Sequence, residues 1–396
     1  MYYTLRPRRF KVTLPGCMKV LHVSPSFYPA KAYSGTIRSG YGLCRGLARL
    51  GCEVRVLTTD SNGLGDHLDV PNDEDVQLDA LRVRYCHKLL RHSVSPALLR
   101  VSPGYVEWAD VVHLTAVYSF PTFPTLFLSR LLKKPVVWSP RGALQRWDGT
   151  SRLALKRMWE SACYGLADKN NLVLHTTSRY EAEQSVKRFP GLRAVMIPNG
   201  VEFPAHLDRI DPNGKLRLLY LGRLHPIKGV DALLEACGII KRLSLDWHLY
   251  IAGTGSPSYV CMLKSKVQEL GLPRLVEFLG EVSDEKKEAL FAQCDVALVP
   301  SHVENFAIVV AESLAHGVPV IASKGTPWSE LETKHCGLWV NNDPETLAAA
   351  IDTIRNMPLQ EMGQRGRKWM KEEYSWESVS GAMLGIYREC VREHVH

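Results

Sequence analysis

Two rhythms alternate along the chain. Short apolar stretches closed by turn residues read as strands, and longer stretches with apolar positions every three or four residues read as helices. MKVLHVSPSFYP predicts a buried strand running into a Pro-containing loop, SGTIRSGYGLCRGLARLG a helix and CEVRVLTT a second strand. Such a β-α-β unit implies a parallel sheet. DSNGLGDHLDVPNDEDVQLD is acidic and turn-rich, and is expected to be a surface loop. WADVVHLT, KPVVWSP and NLVLHTTS continue as strands with helices between them, and SRYE, Ser178 to Glu181, predicts a capping box. After AVMIPNGVEFP the chain turns polar, and the linker is expected there. The alternation then restarts: LRLLYLGRL, WHLYIAG, VEFLG, DVALVPS, PVIAS and CGLWV as strands, with helices between and Ser283 as an N-cap. The chain thus predicts an α/β protein of two doubly wound, Rossmann-like domains. Ligands of such sheets bind at the carboxyl ends of the strands, and two such domains point to a central cleft.

Length agrees, since 396 residues exceed one ordinary core. No apolar run is long enough to span a bilayer, and the basic N-terminus lacks the apolar segment of a secretory signal. Residues 1–17 are expected to be a disordered basic extension, with Met18 opening the fold. The ten cysteines are scattered without CxxC spacing, which fits free thiols in a reducing cytoplasm and speaks against zinc or a disulfide framework. Charge divides the chain: residues 1–200 carry 28 Lys and Arg against 15 Asp and Glu, and the remainder 21 against 26. The basic half could face phosphate, nucleic acid or an anionic membrane.

Candidate chemistry gathers in the second half, at the carboxyl ends of its predicted strands. In LGRLHPIKG, Gly222 ends a strand, and Arg223 and Lys228 follow in a loop. In IAGTGSP, Gly253 and Gly255 allow close backbone approach to a ligand. FLGEV around Leu279 ends a third strand. In SHVENFAIVVAESLAHGVPVIAS two glutamates, Glu304 and Glu312, interrupt an apolar run, and a helix starting near Phe306 would offer free amides to a phosphate. Alone, the glutamates would be ordinary surface acids of an amphipathic helix. Together, carboxylates for hydroxyls and cations for phosphate describe a nucleotide-sugar.

The ordered set GRLHPIKG, AGTGSP, ENFAIVVAE with SLAHGVPVIAS, and GTPWSEL, joined by SPRGAL and IPNGV in the first half, resembles retaining GT-B glycosyltransferases of family 4, the glycosyl transferases group 1. The resemblance implies an acceptor-binding domain at 18–205, a nucleotide-sugar-binding domain at 206–372 and a closing helix at 373–396 that returns to the first domain. It implies transfer of a sugar, hexosyltransferase type, from a nucleotide-diphosphate-sugar to an acceptor hydroxyl with retention, in cell-surface polysaccharide or glycolipid synthesis. Arg223 and Lys228 would hold the diphosphate, Glu304 the transferred sugar and Glu312 the ribose. Amides of Phe306, Ala307 and Ile308, with Asn305 beside them, would add donor contacts, and Gly35 would face the phosphates from the first domain. No metal and no cofactor beyond the donor are implied. Two departures stand out. The common Glu-Gly-Phe-Gly reads Glu304-Asn305-Phe306-Ala307, and the usual first-domain histidine is replaced in WSPRGAL, leaving Arg141 or His113 to take its role.

The basic stretch Arg130 to Arg157 interleaves with Leu126, Phe127, Leu128, Leu131 and Trp147. It reads as a solvated face, or as a patch for an anionic membrane at the inner face of the cell membrane, where a lipid-linked or glycan acceptor would be met. A sugar-nucleotide epimerase of the same plan is the alternative enzyme, and a nucleic-acid-binding protein the alternative class. The chain lacks the aromatic platforms of the latter, and SGTIRSGYG does not fit the G-x-G-x-x-G of a dinucleotide oxidoreductase.

Overall fold

A computed structural model describes residues 3–4, 17–30, 34–63, 65–145, 152–207, 209, 214–242 and 246–395. The chain divides into two compact units, Met1–Gly200 with Trp376–His396, and Val201–Ser375. The expected boundaries near 205 and 373 lie a few residues away.

The first unit holds strands β1 (Tyr3–Thr4), β2 (Lys19–Val23), β3 (Glu53–Thr59), β4 (Asp75–Leu78), β5 (Leu81–Cys86), β6 (Val111–Thr115), β7 (Val136–Ser139), β8 (Leu172–Thr176) and β9 (Arg193–Met196). Their sheet order is β1-β9-β8-β7-β6-β2-β3-β5-β4. Its helices are α1 (Ser34–Arg49), α2 (Pro96–Trp108), α3 (Thr122–Leu131), α4 (Leu153–Leu166) and α5 (Arg179–Arg188). The second unit orders β10 (Leu216–Leu221), β11 (Trp247–Ala252), β12 (Val276–Gly280), β13 (Val296–Val299), β14 (Val320–Ser323) and β15 (Gly337–Val340) as β12-β11-β10-β13-β14-β15, all parallel. Helices α6 (Val230–Ile240), α7 (Pro257–Glu269), α8 (Asp284–Gln293), α9 (Ile308–Ala315), α10 (Glu330–Thr333), α11 (Pro344–Ile354) and α12 (Leu359–Trp369) alternate with these strands or follow them, and α13 (Trp376–Val395) completes the first unit.

The central strands are buried throughout, as parallel strands covered on both faces must be. The acidic segment 60–79 departs from its expected role as plain loop. Asp75–Leu78 pairs antiparallel with Leu81–Cys86 across a tight turn at Asp79, and Asp60 is buried. The capping reading at Ser178 matches the structure: its hydroxyl accepts the Glu181 N–H at 3.2 Å. The Glu181 carboxylate does not return to the cap itself but takes the N–H and hydroxyl of Thr177 and, at 2.5 Å, the N–H of Gly142. All ten cysteines are free thiols. No helix among the described residues is long and apolar enough to cross a membrane.

Arg217 and Asp295 pin β10 to β13 at their amino ends. The guanidinium donates to both carboxylate oxygens at 2.7 and 3.0 Å, and the Arg217 N–H adds a third bond at 2.8 Å. In the first unit α13 lies directly on α1. A Cβ added at Gly42 would fall 2.2 Å from the Trp376 ring, and one at Gly46 2.0 Å from Ser380 Oγ. Gly200 meets the other side of that indole at 2.4 Å. Tyr387, further along α13, bonds the His113 ring of β6 at 2.5 Å.

The close packing predicts opposite signs for two glycine substitutions in helices. Gly42→Ala should lower stability by about 1–3 kcal/mol, because overpacking outweighs the helix-propensity gain. Gly104→Ala in α2, with no atom within 4 Å of the added Cβ, should raise it by up to about 1 kcal/mol. Urea unfolding midpoints decide; a Gly42→Ala protein as stable as the wild type would refute the packing account.

Candidate functional site

The direction of winding in the second sheet reverses between β10 and β13, which lie side by side although two strands and three helices of chain separate them. Loops leave such a switch point in opposite directions and open a crevice at the carboxyl edge. Gly222 and Arg223 follow β10 there, and Ser301 to Glu304 follow β13. Close backbone approach shapes the edge. Gly253 (φ 142°) would place a Cβ 1.9 Å from the Gly222 carbonyl oxygen, and Gly255 one 2.0 Å from that of Leu224. The Leu224 N–H donates to the Thr254 carbonyl at 2.7 Å. Both glycines therefore serve contact between the two loops.

Lys228 ends a short 3₁₀ turn capped by His225, whose Nδ1 accepts the Ile227 N–H at 3.2 Å. Gly229 then takes the left-handed conformation, φ 65°, against the Pro300 carbonyl, and α6 begins. This geometry aims the Lys228 ammonium at Glu304 Oε1, and the two form an ion pair whose side chains are 22% and 14% exposed. Ser301 Oγ donates to the same oxygen at 3.0 Å. The Glu304 N–H donates to the Gly325 carbonyl at 2.9 Å, so the loop after β14 props the loop after β13. Arg223 is exposed beside this pair in sequence. Burial, then the charges of Arg223 and Lys228, hold His225 below its ordinary pKa, a sign of positive potential here.

The helix expected near Phe306 begins at Ile308, with Ala307 in the left-handed region, φ 57° and ψ 66°. Phe306 points inward against Trp328, whose indole N–H donates to the Phe306 carbonyl at 2.5 Å. The amides of Ile308 and Val309 thus head α9 without intrahelical acceptors. Glu312, one turn further along α9, pairs with Lys287 of α8 at 3.0 Å, and both side chains are mostly buried. Lys287 carried no signal in the sequence: it is one of several charges in DEKKEAL, and only the packing of α8 selects it. Asn305 lies in the loop between Glu304 and α9, half-buried.

Leu279 and Gly280, with Gly253, Thr254 and Gly255, line a cavity of ≈ 850 Å³ at the carboxyl ends of β11 and β12, closed on one side by Val260 and Lys264 of α7.

The first-unit candidates fall apart from one another in role. Gly35 lies in the first turn of α1, and its carbonyl accepts the Ser39 hydroxyl at 2.7 Å. Arg141 follows β7 in a left-handed conformation, φ 54°, and its guanidinium donates to Asn199 Oδ1 while Nε has no partner among the described residues. His113 needs correction as a candidate for the reaction. It is fully buried in β6, with Nδ1 on Tyr387 and Nε2 on Ser139 Oγ at 2.8 Å, so neither ring nitrogen is left for a substrate. Burial, then His22, His175 and Arg141, hold its pKa well below the usual value.

Two parallel-sheet units, the second with cations and carboxylates at its switch point, define the GT-B class of fold. The family "Glycosyl transferase 4-like domain" matches residues 34–200, and "Glycosyl transferases group 1" matches residues 208–369. The chain belongs to the group 1 glycosyltransferases. A GDP-mannose-dependent alpha-(1-6)-phosphatidylinositol dimannoside mannosyltransferase of Mycobacterium tuberculosis is 31% identical over 216 residues, 51% of this chain and 54% of that protein. The chain thus spans about half the length of that relative. An uncharacterized glycosyltransferase of Methanocaldococcus jannaschii is 26% identical over 392 residues, 91% of this chain and 96% of that one. Among solved structures, sucrose-phosphate synthase of Thermosynechococcus elongatus superposes with a TM-score of 0.71 at 21% identity, covering 94% of this chain and 98% of that one. Anabaena HepE in complex with UDP-glucose does so with 0.69 at 18% identity, covering 94% and 100%.

Proposed function

We propose that the chain transfers a hexosyl group from a nucleotide-diphosphate-sugar to an acceptor hydroxyl with retention of anomeric configuration, in synthesis of a surface polysaccharide or glycolipid. The observation that carries the reading is the Lys228–Glu304 pair at the switch point of the second sheet. A donor diphosphate competes with Glu304 for the Lys228 ammonium. Once Lys228 turns to phosphate, Glu304 is released to accept hydrogen bonds from sugar hydroxyls. Arg223 adds the second cation, and the leading amides of α9 point their donors at the same anion. Glu312, held by Lys287, receives the ribose hydroxyls, and the ≈ 850 Å³ cavity receives the nucleoside. The anomeric C–O bond breaks with its electron pair leaving on the diphosphate. The acceptor oxygen bonds to the same face of the sugar, and its proton passes to a phosphate oxygen. The protein's part is positioning and charge stabilisation. GDP-mannose and UDP-glucose, named for the relative and the neighbouring structure, mark the range of donors to try.

A panel of GDP- and UDP-linked hexoses, scored by thermal shift and then by release of the nucleoside diphosphate, tests the reading. One donor should stabilise the protein and be turned over, and an acceptor product should keep the donor's anomeric configuration. Lys228→Ala should cost about 10²- to 10³-fold in kcat, the loss typical of a deleted oxyanion donor, with a cooperative unfolding transition that shows it still folded, at a melting temperature lowered by the unpaired Glu304. Near-full activity would show the diphosphate clamp to be misassigned.

The cations Arg223 and Lys228 also favour donor chemistry without a divalent ion. In the same assay, magnesium added to chelator-treated protein should leave turnover unchanged; stimulation by magnesium would refute this.

Membrane contact is the second element of the proposal. Leu126 faces the core and Trp147 lies outside the described residues, so the patch differs from the expected one. Phe127 and Leu131 of α3, and Leu153, Leu155 and Met158 of the neighbouring α4, are exposed among Arg130, Lys133, Arg152 and Arg157. Apolar side chains among bases suit an anionic interface on the cytoplasmic side. Sedimentation should find the protein on phosphatidylglycerol vesicles and not on phosphatidylcholine ones, and Phe127→Asp with Met158→Asp should release it. Equal binding to both lipids, or none, would remove this element.

A further inference from the structure

A second cluster of chemistry-bearing side chains lies in the first unit, at the carboxyl ends of β3 and β5. These strands are parallel neighbours whose last paired residues are Thr59 and Cys86. The next residue of each, Asp60 and His87, therefore emerge side by side. The following loop returns on itself: Ser61 pairs antiparallel with His67, Asn62 N–H donates to the Asp66 carbonyl at 3.0 Å, and Leu68 N–H to the Asp60 carbonyl at 2.7 Å. That return brings His67 against the same carboxylate.

Both imidazoles aim Nδ1 at a single oxygen. His67 Nδ1 lies 2.9 Å and His87 Nδ1 2.8 Å from Asp60 Oδ2, and Oδ1 takes the Lys88 N–H at 2.9 Å. The Asp60 side chain is 1% exposed, while those of His67 and His87 are 43% and 48% exposed. The two rings stack with centroids 5.2 Å apart. The Lys88 ammonium is engaged by the loop, through the carbonyls of Gly63 at 3.0 Å and Asp66 at 2.6 Å and the Ser61 hydroxyl at 3.3 Å. Asp73 accepts the backbone N–H of His87 at 3.2 Å and stands behind that residue.

The three donor atoms lie within 4.8 Å of one another, the one group of three such residues to do so among those described. Two imidazole nitrogens and a carboxylate oxygen converging from three chain segments form the donor set of a borderline divalent ion, with ligand distances of about 2.0–2.2 Å. Magnesium and calcium prefer oxygen throughout. We propose that Asp60, His67 and His87 bind zinc or a similar divalent ion, with the remaining coordination position open to solvent on the side of the exposed imidazoles. Binding replaces two N–H···O bonds on Oδ2 with metal–ligand bonds and clips the 61–67 loop to β3 and β5. The site is separate from the residues assigned to the donor, and the inference does not depend on the proposed reaction.

The test uses the full chain without an affinity tag, chelator-stripped, with its exposed thiols Cys17 and Cys261 alkylated. Zinc titration should show one equivalent bound and a zinc-dependent rise in melting temperature, and cobalt should give a visible d–d spectrum of nitrogen and oxygen ligation. His67→Ala and His87→Ala should each weaken zinc binding by at least the 10- to 100-fold typical of lost outer-shell support, and each should abolish the thermal shift. Each variant leaves Asp60 Oδ2 one imidazole partner, so both should stay folded, with melting in chelator lowered by the lost hydrogen bond. No zinc binding by the alkylated wild type, or variants that bind as the wild type does, would overturn the proposal, and the wild-type thermal shift decides even if a variant fails to fold.

Discussion

A lysine ammonium and a glutamate carboxylate, both largely withdrawn from water, face one another where β10 and β13 end. Neither can be left alone there, since breaking such a pair strands a charge at a cost of about 3–5 kcal/mol. Their meeting depends on the backbone around them. Gly229 must adopt φ 65° with no Cβ to strike the Pro300 carbonyl, and Gly325 must lie against the Ser301 and His302 carbonyls. At the other end of the same two strands Arg217 and Asp295 lock the register. The switch point is thus held at one end by a structural ion pair and at the other by the Lys228–Glu304 pair, which on the proposed reading a donor diphosphate would reopen. A site that keeps its charges neutralised until an anion arrives needs no reorganisation of the fold to accept it.

The alternation of strands and helices was legible because parallel strands buried on both faces leave continuous apolar runs, and these are hard to read otherwise. The glycines of the carboxyl edge were legible for a related reason, since close backbone approach shows as glycine, but at Gly253 and Gly255 the partner that comes close is the neighbouring loop, Gly222 and Leu224. What escaped has a common cause. β4 and β5 alternate polar and apolar residues at the sheet edge, DVQL and LRVRYC, and the charges of that segment hid the hairpin. Asp60 looked like one acid among many, and only the β3–β5 register shows it buried between two imidazoles. Lys287 was one lysine of a solvated helix until α8 packed beside α9. His113 misled in the other direction, because a histidine in a strand gives no sign of which face or depth it occupies.

The two units handle interior polarity differently. In the second, charge is matched by charge: Lys228 with Glu304, Lys287 with Glu312, Arg217 with Asp295. In the first, a row of imidazoles runs through the core, with His22 stacked on His113 and Ser139 bridging His113 to His175. Burial, then the charge of Arg141, pushes His22 and His175 down to about 3. These rings stay neutral across physiological pH and act as hydrogen-bonding core, tying β2, β6 and β8 to α13 through Tyr387. A neutral network holds fixed geometry against changes of pH, as suits a scaffold. Of the second unit's paired charges, Arg217–Asp295 is equally fixed, and on the proposed reading Lys228 exchanges Glu304 for a phosphate.

Ala307 joins these themes. A left-handed alanine costs about 1–2 kcal/mol relative to an ordinary conformation, and glycine would be the simple choice. The alanine methyl is, however, buried with Val310, Trp328 and Leu331 in the cluster behind α9, worth about 0.8 kcal/mol for a buried carbon. The Trp328 indole adds a hydrogen bond to the neighbouring Phe306 carbonyl, worth about 1 kcal/mol net. These two terms offset the backbone cost, so the turn that aims the leading amides of α9 stands without glycine. The same methyl narrows the conformations open to the loop when no ligand is present. A chain with glycine here would reach the same geometry from a larger ensemble, whereas this one begins closer to it.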